Sequence, residues 1–327
     1  MILRMPDYFP EFACIADKCT DSCCVGWEID LDDDTSDYYK SIEGEFGDRL
    51  RENMYENEDG GCSFRLKEHG RCPLLNSGNL CDIICQMGEE ALSEVCTDFP
   101  RFSMQYGNVI HKCLSFSCME VCRIVFTKED SVKIVDLEVP DYGEEYDPEE
   151  GKAEYEIQKQ LLDNLWNRSL PIRDRILNCL KVENQEAWLD QLETYQSFKS
   201  RLESMKELEP INDNWSNTLA EMEKYLTEEN YEASVKAFLE SSDYNENDIE
   251  QLMVYFIHRY FFSVAYIKLS VAFTYMVRDM YVMEFVKKNG KFTREDAIRM
   301  PRYFSKGVEH AEDNLESLRD AILFGDF

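Results

Sequence analysis

Four cysteines fall within the eleven residues Cys14-Ile-Ala-Asp-Lys-Cys19-Thr-Asp-Ser-Cys23-Cys24, and this stretch decides how the first part of the chain is organised. Thirteen cysteines occur in 327 residues, and all except Cys179 lie between Cys14 and Cys122. A chain of this length can bury a large core without cross-links. The first residues lack the basic and apolar pattern of a secretory leader, so we expect a cytoplasmic protein with reduced thiols. Dense cysteines in that setting indicate metal or iron–sulfur ligands.

The spacing of the cysteines contains no C-x2-C pair. Most zinc fingers and ribbons use that pair to aim two sulfurs at one tetrahedral ion, so its absence weakens the zinc interpretation without excluding it. Only two histidines, His69 and His111, lie among the cysteines, and the ligand set is therefore almost entirely thiolate. Such soft sets select zinc, Cu(I) or iron–sulfur clusters. Ligands from several loops favour a 4Fe-4S cluster, with zinc as the alternative.

Twelve cysteines compete for about four ligand positions, so several must have another role. Cys23 and Cys24 are adjacent, and we expect at most one of them to bind a given metal. The other would lie in the core or bind a second centre. The cysteines that we first expect to be buried hydrophobic residues are Cys62, Cys85, Cys113, Cys122 and Cys179.

Composition and missing motifs exclude several functional classes. The net charge of −31 would repel nucleic acid. No uninterrupted apolar run of about 18 residues is present, so we predict no membrane span. The phosphate-binding glycine motifs and the nucleophile elbow of hydrolases do not occur. No C-x3-C-x2-C loop occurs either, which argues against a radical enzyme.

The predicted fold is mainly α, with a loop-rich cysteine domain over residues 1–126, an acidic connector over 127–151 and a helical domain over 152–327. In the first domain we predict helices within 35–50, 88–96 and 117–126 and a hairpin that turns at Gly107-Asn108. A 3.6-residue period governs the last domain, and from Asp248 onward the helices are apolar on most faces. Thr293 and Asp296 have the spacing of a capping box for a final helix that ends near Phe324.

The order Pro6-x-Tyr8-x3-Phe12-x-Cys14-Ile15-x3-Cys19-x3-Cys23-Cys24-x-Gly26-Trp27 resembles the start of the FliB-type flagellin lysine-N-methylase family, among CxxCxxCC-like cysteine-rich proteins. The likeness continues in Cys72-Pro73-Leu74-Leu75, Gly78-x-Leu80-Cys81-x-Ile83 and Leu92-Ser93-x2-Cys96-x2-Phe99-Pro100-Arg101. Leu114-Ser115-x-Ser117-Cys118-x-Glu120 is similar to the family's Ser-Cys-Pro-Glu segment, with Met119 in place of proline.

The resemblance implies methyl transfer from S-adenosylmethionine to lysines of flagellin, by a protein that carries a 4Fe-4S cluster. The cluster candidates that it implies are Cys14, Cys19, Cys23, Cys24, Cys72, Cys81, Cys96 and Cys118. Trp27 and Arg101 also fall in matching motifs, where packing and a structural ion pair are at least as good an explanation as substrate binding.

A lysine methylase must remove a proton from an amine whose pKa is near 10.4. Glu120 is our candidate proton acceptor, and its alternative role is that of a buried structural carboxylate. His258 and Arg259, on an apolar helix, are expected to form an interior polar pair. The competing function is a noncatalytic metal-binding or interaction protein with a structural zinc or iron–sulfur centre.

Overall fold

The computed structural model describes residues 1–57, 60–141, 146–147 and 149–325, which form two compact units. The first, which we call the cysteine-rich unit, comprises Ala13–Phe102 together with Cys118–Glu120. The second, the helical unit, comprises Met1–Phe12, Ser103–Ser117 and the chain from Val121 onward. These boundaries differ from the predicted domains, because the first strand of the chain pairs with strands that come more than a hundred residues later.

Strands are few and short. In chain order they are β1 (Ile2–Pro6), β2 (Asp30–Leu31), β3 (Met54–Glu56), β4 (Cys62–Phe64), β5 (Arg101–Tyr106), β6 (Val109–Leu114) and β7 (Ile134–Glu138). Helices dominate the rest of the described chain, and the predicted mainly α class is confirmed. The helices are α1 (Asp33–Ser41), α2 (Gly44–Asn53), α3 (Asp82–Met87), α4 (Glu94–Asp98), α5 (Met119–Phe126), α6 (Lys152–Leu165), α7 (Ile172–Lys181), α8 (Trp188–Leu192), α9 (Tyr195–Lys206), α10 (Asp213–Tyr225), α11 (Tyr231–Leu239), α12 (Glu246–Arg259), α13 (Tyr266–Lys287), α14 (Arg294–Glu309) and α15 (Glu312–Phe324).

A four-stranded sheet of order β5-β6-β1-β7 contains the predicted hairpin, since β5 and β6 are neighbours. β1 runs parallel to β6, with Ile2 opposite Val109, and antiparallel to β7, with Ile2 opposite Glu138. β7 lies inside the segment that the sequence presents as an acidic connector. The sequence predicted an irregular connector here because the segment is acidic, but the structure contains a strand that pairs along its whole length with β1. The predicted connector residues 142–145 and 148 lie outside the described residues.

The cysteine-rich unit combines a three-stranded sheet of order β2-β4-β3 with α1 to α4. Tyr39, Leu50 and Phe64 form the centre of its core. The helix predicted within 35–50 is two helices, because the chain is extended at Ile42 and Gly44 takes a left-handed φ of 84°. The helix predicted over 88–96 is also interrupted, and only α4 after Ser93 has α geometry.

The helical unit is built around α13, which is buried along nearly all of its length. α12 is buried in the same way, as its apolar sequence predicts. Thr293 and Asp296 form the predicted capping box at the start of α14. The helix that follows is not continuous to Phe324, because the chain is extended at Ala311 before α15 begins. No helix among the described residues is both long and apolar enough to cross a membrane.

Buried charges join the helices of this unit. Arg201 of α9 donates to Asp279 of α13 through Nε at 3.0 Å and Nη2 at 2.5 Å. Tyr231 of α11 donates to the other oxygen of Asp279 at 2.9 Å. Arg201 and Asp279 are both fully buried, so this network fixes three helices through charge-assisted hydrogen bonds.

Candidate metal centre

The structure places all eight candidate ligands in the cysteine-rich unit, because Cys118–Glu120 packs with Ala13–Phe102. Two of the cysteines expected to be buried hydrophobic residues, Cys62 and Cys85, lie in the same unit, where Cys62 is half-buried and the expectation is wrong for Cys85, which is exposed. The other three, Cys113, Cys122 and Cys179, are buried in the helical unit. One compact region therefore holds every cysteine that the family resemblance singles out.

Backbone hydrogen bonds bring distant cysteines together around Cys24. The N–H of Cys72 donates to the carbonyl of Cys24 at 2.9 Å. Cys81 forms an antiparallel β-bridge with Leu75. Because Leu75 follows shortly after Cys72, this bridge holds Cys81 close to Cys72. Cys72 is in the core of the unit, and Cys24 and Cys81 pack against it half-buried.

The thiols of this group interact electrostatically. Burial raises the pKa of Cys72 to about 12, and the neighbouring Cys24, Cys96 and Cys81 raise it further. Burial likewise raises the pKa of Cys96 to about 11, with Cys24 and Cys81 acting in the same direction. The charges of Cys24, Cys72, Cys81 and Cys96 thus act on one another, and we call these four residues the Cys24 group.

Each sulfur of the Cys24 group accepts a hydrogen bond that would stabilise a thiolate. Cys72 accepts from the N–H of Leu74, and Cys81, at the start of α3, accepts from the N–H groups of its next turn. Cys24 and Cys96 accept from the hydroxyls of Ser22 and Ser93. Hydrogen bonds to sulfur are a feature of iron–sulfur and other metal–thiolate sites, where they tune the ligands.

Cys23 belongs to different surroundings. Its thiol donates to the sulfur of Cys24, which raises the pKa of Cys23, and the charges of Cys118 and Cys14 raise it further. The same hydrogen bond lowers the pKa of Cys24 to about 6, with help from Ser22 and from the positive charge of Arg71. We call Cys14, Cys23 and Cys118 the Cys23 group. The two groups are linked by the hydrogen bond between Cys23 and Cys24, which are adjacent in the chain.

Two buried cysteines of the helical unit donate hydrogen bonds to carbonyls. The Cys122 thiol donates to the carbonyl of Phe116 at 3.0 Å, and the Cys179 thiol donates to that of Leu161 at 3.5 Å. Both are fully buried, as expected for thiols that serve as hydrophobic residues. Among the family candidates, Cys19 also donates, to the carbonyl of Asp21 at 3.3 Å.

A polar network holds the loop between Cys72 and Cys81. The Asn76 side chain accepts from the N–H groups of Gly78 and Leu80, at 2.9 and 3.1 Å, and donates to Asp82 at 2.8 Å. Arg49 donates to Asp82 at 2.6 Å and to the carbonyl of Pro73 at 2.7 Å. These supporting residues were missed at the sequence level. The turn signal Asn76-Ser-Gly78 was visible, but Arg49 lies too far away in sequence to be assigned.

Three further residues singled out by the sequence are Glu120, Trp27 and His258. Glu120 is buried at 6% exposure in the same unit. Trp27 packs against Phe99 with ring centroids 5.9 Å apart, which agrees with a packing role. In the helical unit, His258 bonds to the carbonyl of Lys112 at 2.8 Å and stacks on His111 at 4.1 Å.

The donor set can be tested against the metal groups that the resemblance implies. Within the described residues, no three His, Cys, Asp or Glu side chains are arranged so that they could hold a single metal ion. Zinc requires four ligands at about 2.0–2.3 Å from one point. An iron–sulfur cluster takes thiolates from several segments, and the candidate cysteines come from several segments of one unit. The 4Fe-4S cluster and the choice of its ligands stay predictions.

Comparison with known proteins defines the class as a lysine N-methylase. A model of the "FliB lysine N-methylase C-terminal domain" matches residues 136–326, which is more than half of the chain. The chain belongs to the FliB lysine N-methylase family, and the predicted enzyme class, protein-lysine N-methyltransferase, is confirmed at the level of the family.

Curated relatives match over 134 residues, or 39% of this chain. The flagellar biosynthetic protein FliU of Salmonella muenchen is 30% identical, with 79% of its length covered. The lysine-N-methylase of Salmonella typhimurium is 28% identical, and that of Salmonella choleraesuis has the same identity. The match spans only 33% of the length of these two enzymes. No solved structure matches the chain.

Proposed function

We propose that this protein is cytoplasmic and transfers methyl groups from S-adenosylmethionine to lysine side chains of flagellin, with a 4Fe-4S cluster in the cysteine-rich unit. One observation carries the proposal. Cysteines from separate family motifs are held together, because the N–H of Cys72 donates to the carbonyl of Cys24 at 2.9 Å and Cys81 forms a β-bridge with Leu75. Membership of the family supports the activity, and the flagellar name of FliU supports the flagellar target.

The reaction requires a neutral amine and an aligned donor. Roughly one lysine in a thousand is unprotonated at pH 7, so the site must remove a proton before transfer. The nitrogen lone pair then attacks the methyl carbon, the carbon–sulfur bond breaks, and S-adenosylhomocysteine leaves. Because the sulfonium is already activated, positioning of the two reactants is the main requirement.

The residues of the cysteine-rich unit would divide these tasks. The cysteines would hold the cluster, which when bound supplies an iron that can fix the amino and carboxylate groups of the methyl donor. Glu120 would accept the proton of the lysine ammonium. Glu120 is 6% exposed and lies in the same unit as the candidate cysteines.

The test is methylation of purified flagellin by anaerobically prepared protein and S-adenosylmethionine, followed by intact mass. We expect successive additions of about 14 Da, and a rate that Glu120→Gln lowers by about 10²-fold or more with metal content unchanged. Flagellin of unchanged mass with cluster-loaded protein would refute the activity. An active Glu120→Gln variant would refute the role of the carboxylate alone.

A further inference from the structure

The strand β7 is one edge of the four-stranded sheet in the helical unit. The order β5-β6-β1-β7 pairs it with β1 on one side, and no strand of the described chain pairs with its other side. Edge strands present a row of backbone N–H and C=O groups to which another strand can add. All five residues of β7 are in register with β1, so the edge is regular over its full length.

The register with β1 shows which backbone groups of β7 face the open edge. Val139 donates to the carbonyl of Met1 at 3.0 Å and accepts from the amino terminus at 3.2 Å, and Asp7 donates to the carbonyl of Lys133 at 2.7 Å. Because hydrogen-bonded pairs alternate along an antiparallel ladder, every second residue of β7 bonds to β1. The residues between them direct their N–H and C=O groups to the open edge, and they are Ile134, Asp136 and Glu138.

An apolar side chain is exposed at the same edge. Leu137 is 47% exposed. It lies opposite Leu3 of β1, and Leu3 lies opposite Ile110 of β6, so these three side chains form one apolar row across the sheet. Side chains that are neighbours across strands contact one another and stabilise the pairing. A fifth strand would extend this row by one side chain and cover Leu137.

The sequence at this edge is acidic. Between Lys133 and Lys152 it contains eight acidic residues and no basic residue. Arg4 donates to both carboxylate oxygens of Asp136 at 2.7 Å, so this acid is paired within the sheet, whereas Glu138 is exposed. Like charges oppose the pairing of β7 with a second copy of itself, and the same charges attract a basic strand. The charge therefore favours a lysine-bearing partner over another copy of this chain.

We propose that β7 binds an extended, lysine-bearing segment of the methyl acceptor as a fifth strand of the sheet. The backbone groups at the edge supply affinity for an extended chain of any sequence, and Leu137 contacts an apolar side chain of the segment. The acidic residues favour lysine at the positions beside them. This inference rests on the proposed function, because it takes the partner to be the protein substrate. It adds a docking surface that belongs to the helical unit.

Peptide binding to the full chain, without a methyl donor, tests this docking surface. The probe is a fluorescein-labelled peptide of alternating lysine and valine. The comparison peptide has the same sequence and charge, and N-methyl groups on two successive central amides block both of its edges. We expect fluorescence anisotropy to show at least about tenfold tighter binding of the unmodified peptide, because N-methylation prevents strand pairing and leaves electrostatic attraction intact.

Hydrogen exchange at residue resolution locates the bound peptide. On binding, exchange should slow at the N–H groups of Asp136 and Glu138, which face the open edge. It should stay unchanged at Leu137, whose N–H already bonds to β1. Protection elsewhere in the chain, with none at β7, would place the peptide on another surface and refute the proposal.

Two substitutions at Glu138 separate the backbone from the charge. Glu138→Pro removes an N–H that faces the open edge and keeps the hydrogen bonds to β1, so it should fold and weaken peptide binding about tenfold. Glu138→Lys should weaken binding by a similar factor through repulsion. Glu240→Lys is the matched control, because it makes the same change of charge at an exposed residue beside α11, and it should alter binding less than about twofold.

Equal binding of the two peptides, or equal effects of Glu138→Lys and Glu240→Lys, would overturn the proposal and assign the attraction to the overall charge. A wild-type dimer that Glu138→Pro dissociates would also overturn it, because the occupant would then be a second copy of the chain. Peptide binding at β7 by a protein that does not methylate flagellin would support the docking surface and refute the activity alone. Methylation of flagellin without peptide binding would refute the docking surface alone.

Discussion

At the scale of the residue, the hydrogen bonds of sulfur distinguish Cys72 and Cys81 from two cysteines that are buried in the helical unit. The sulfurs of Cys72 and Cys81 accept from backbone N–H groups, whereas Cys122 and Cys179 donate to carbonyls. The sequence predicted that Cys122 and Cys179 are buried hydrophobic residues, and both are fully buried. Whether each sulfur donates or accepts could not be predicted from the sequence, because it depends on the backbone conformation around each cysteine.

Asn76 gives the first prediction at this scale. Its side chain makes three hydrogen bonds within the loop that carries Cys72 and Cys81. We expect Asn76→Ala to lower the free energy of unfolding by about 2–3 kcal/mol, since each bond contributes about 1 kcal/mol. Metal affinity should fall about 10–100-fold, because a support of the ligands is lost. Urea unfolding and a chelator competition measure both.

The control for Asn76 is Gln86→Ala, an exposed substitution on α3 of the same unit, which should change neither quantity. If Asn76→Ala bound metal like the wild type, the loop would be ordered by other contacts.

His258 gives a prediction about pH. Burial lowers its pKa to about 4, with Arg4 and Arg259 lowering it further and the carbonyl of Lys112 and Asp136 opposing them. The unfolded chain, with a pKa near 6.5, binds a proton that the folded chain excludes. The stability due to the neutral ring is therefore complete above about pH 6.5 and is lost as the pH falls toward 4. Burial and the stacked His258 lower the pKa of His111 in the same direction.

We expect His258 to account for about 2–3 kcal/mol of the stability lost between pH 7 and pH 4.5. His258→Gln, which can still donate to Lys112, should show a smaller loss over this range in urea unfolding. An identical pH dependence in the two proteins would show that His258 is not neutral in the fold.

At the scale of the element, periodicity located the helices, and local backbone chemistry decided where they break. The pattern from Trp188 to Met205 is apolar on one face throughout, yet α8 ends at Leu192. Thr194 caps the start of α9, because its side chain accepts from the N–H of Ser197. The capping box of Thr293 could be predicted because both of its members are local. The strand β7 could not be predicted, because it is stabilised by pairing with β1, which lies more than a hundred residues earlier in the sequence.

The ion pair between α9 and α13 gives the prediction at this scale. Asp279→Ala leaves Arg201 and Arg278 buried without their carboxylate, and the loss should be about 3–5 kcal/mol in urea unfolding. Glu240→Ala is the control, because its pair with Lys236 is exposed and 3.9 Å long and should contribute less than about 1 kcal/mol. Equal effects of the two substitutions would contradict the assigned role of the buried network.

At the scale of the whole molecule, composition and family motifs predicted the class, while the division of the chain depended on topology. The predicted first domain ended at residue 126 because the cysteines end there. In the structure, Met1–Phe12 belongs to the helical unit, because β1 pairs with β6 and β7. The cysteine-rich unit is thus an insertion between strands, a relation that a count of cysteines along the sequence does not reveal.

The net charge of −31 gives a prediction for the whole molecule, which rests on the proposed activity. A strongly acidic protein attracts a lysine-bearing substrate over a distance that shrinks from about 10 Å at 0.1 M salt to about 3 Å at 1 M. We expect kcat/KM for a lysine peptide with basic flanks to fall about tenfold between 0.05 and 0.5 M KCl, mainly through KM. The same lysine with acidic flanks is the control, and its kcat/KM should rise with salt because repulsion is screened. If both peptides responded equally, the acidic surface would serve solubility and not substrate attraction.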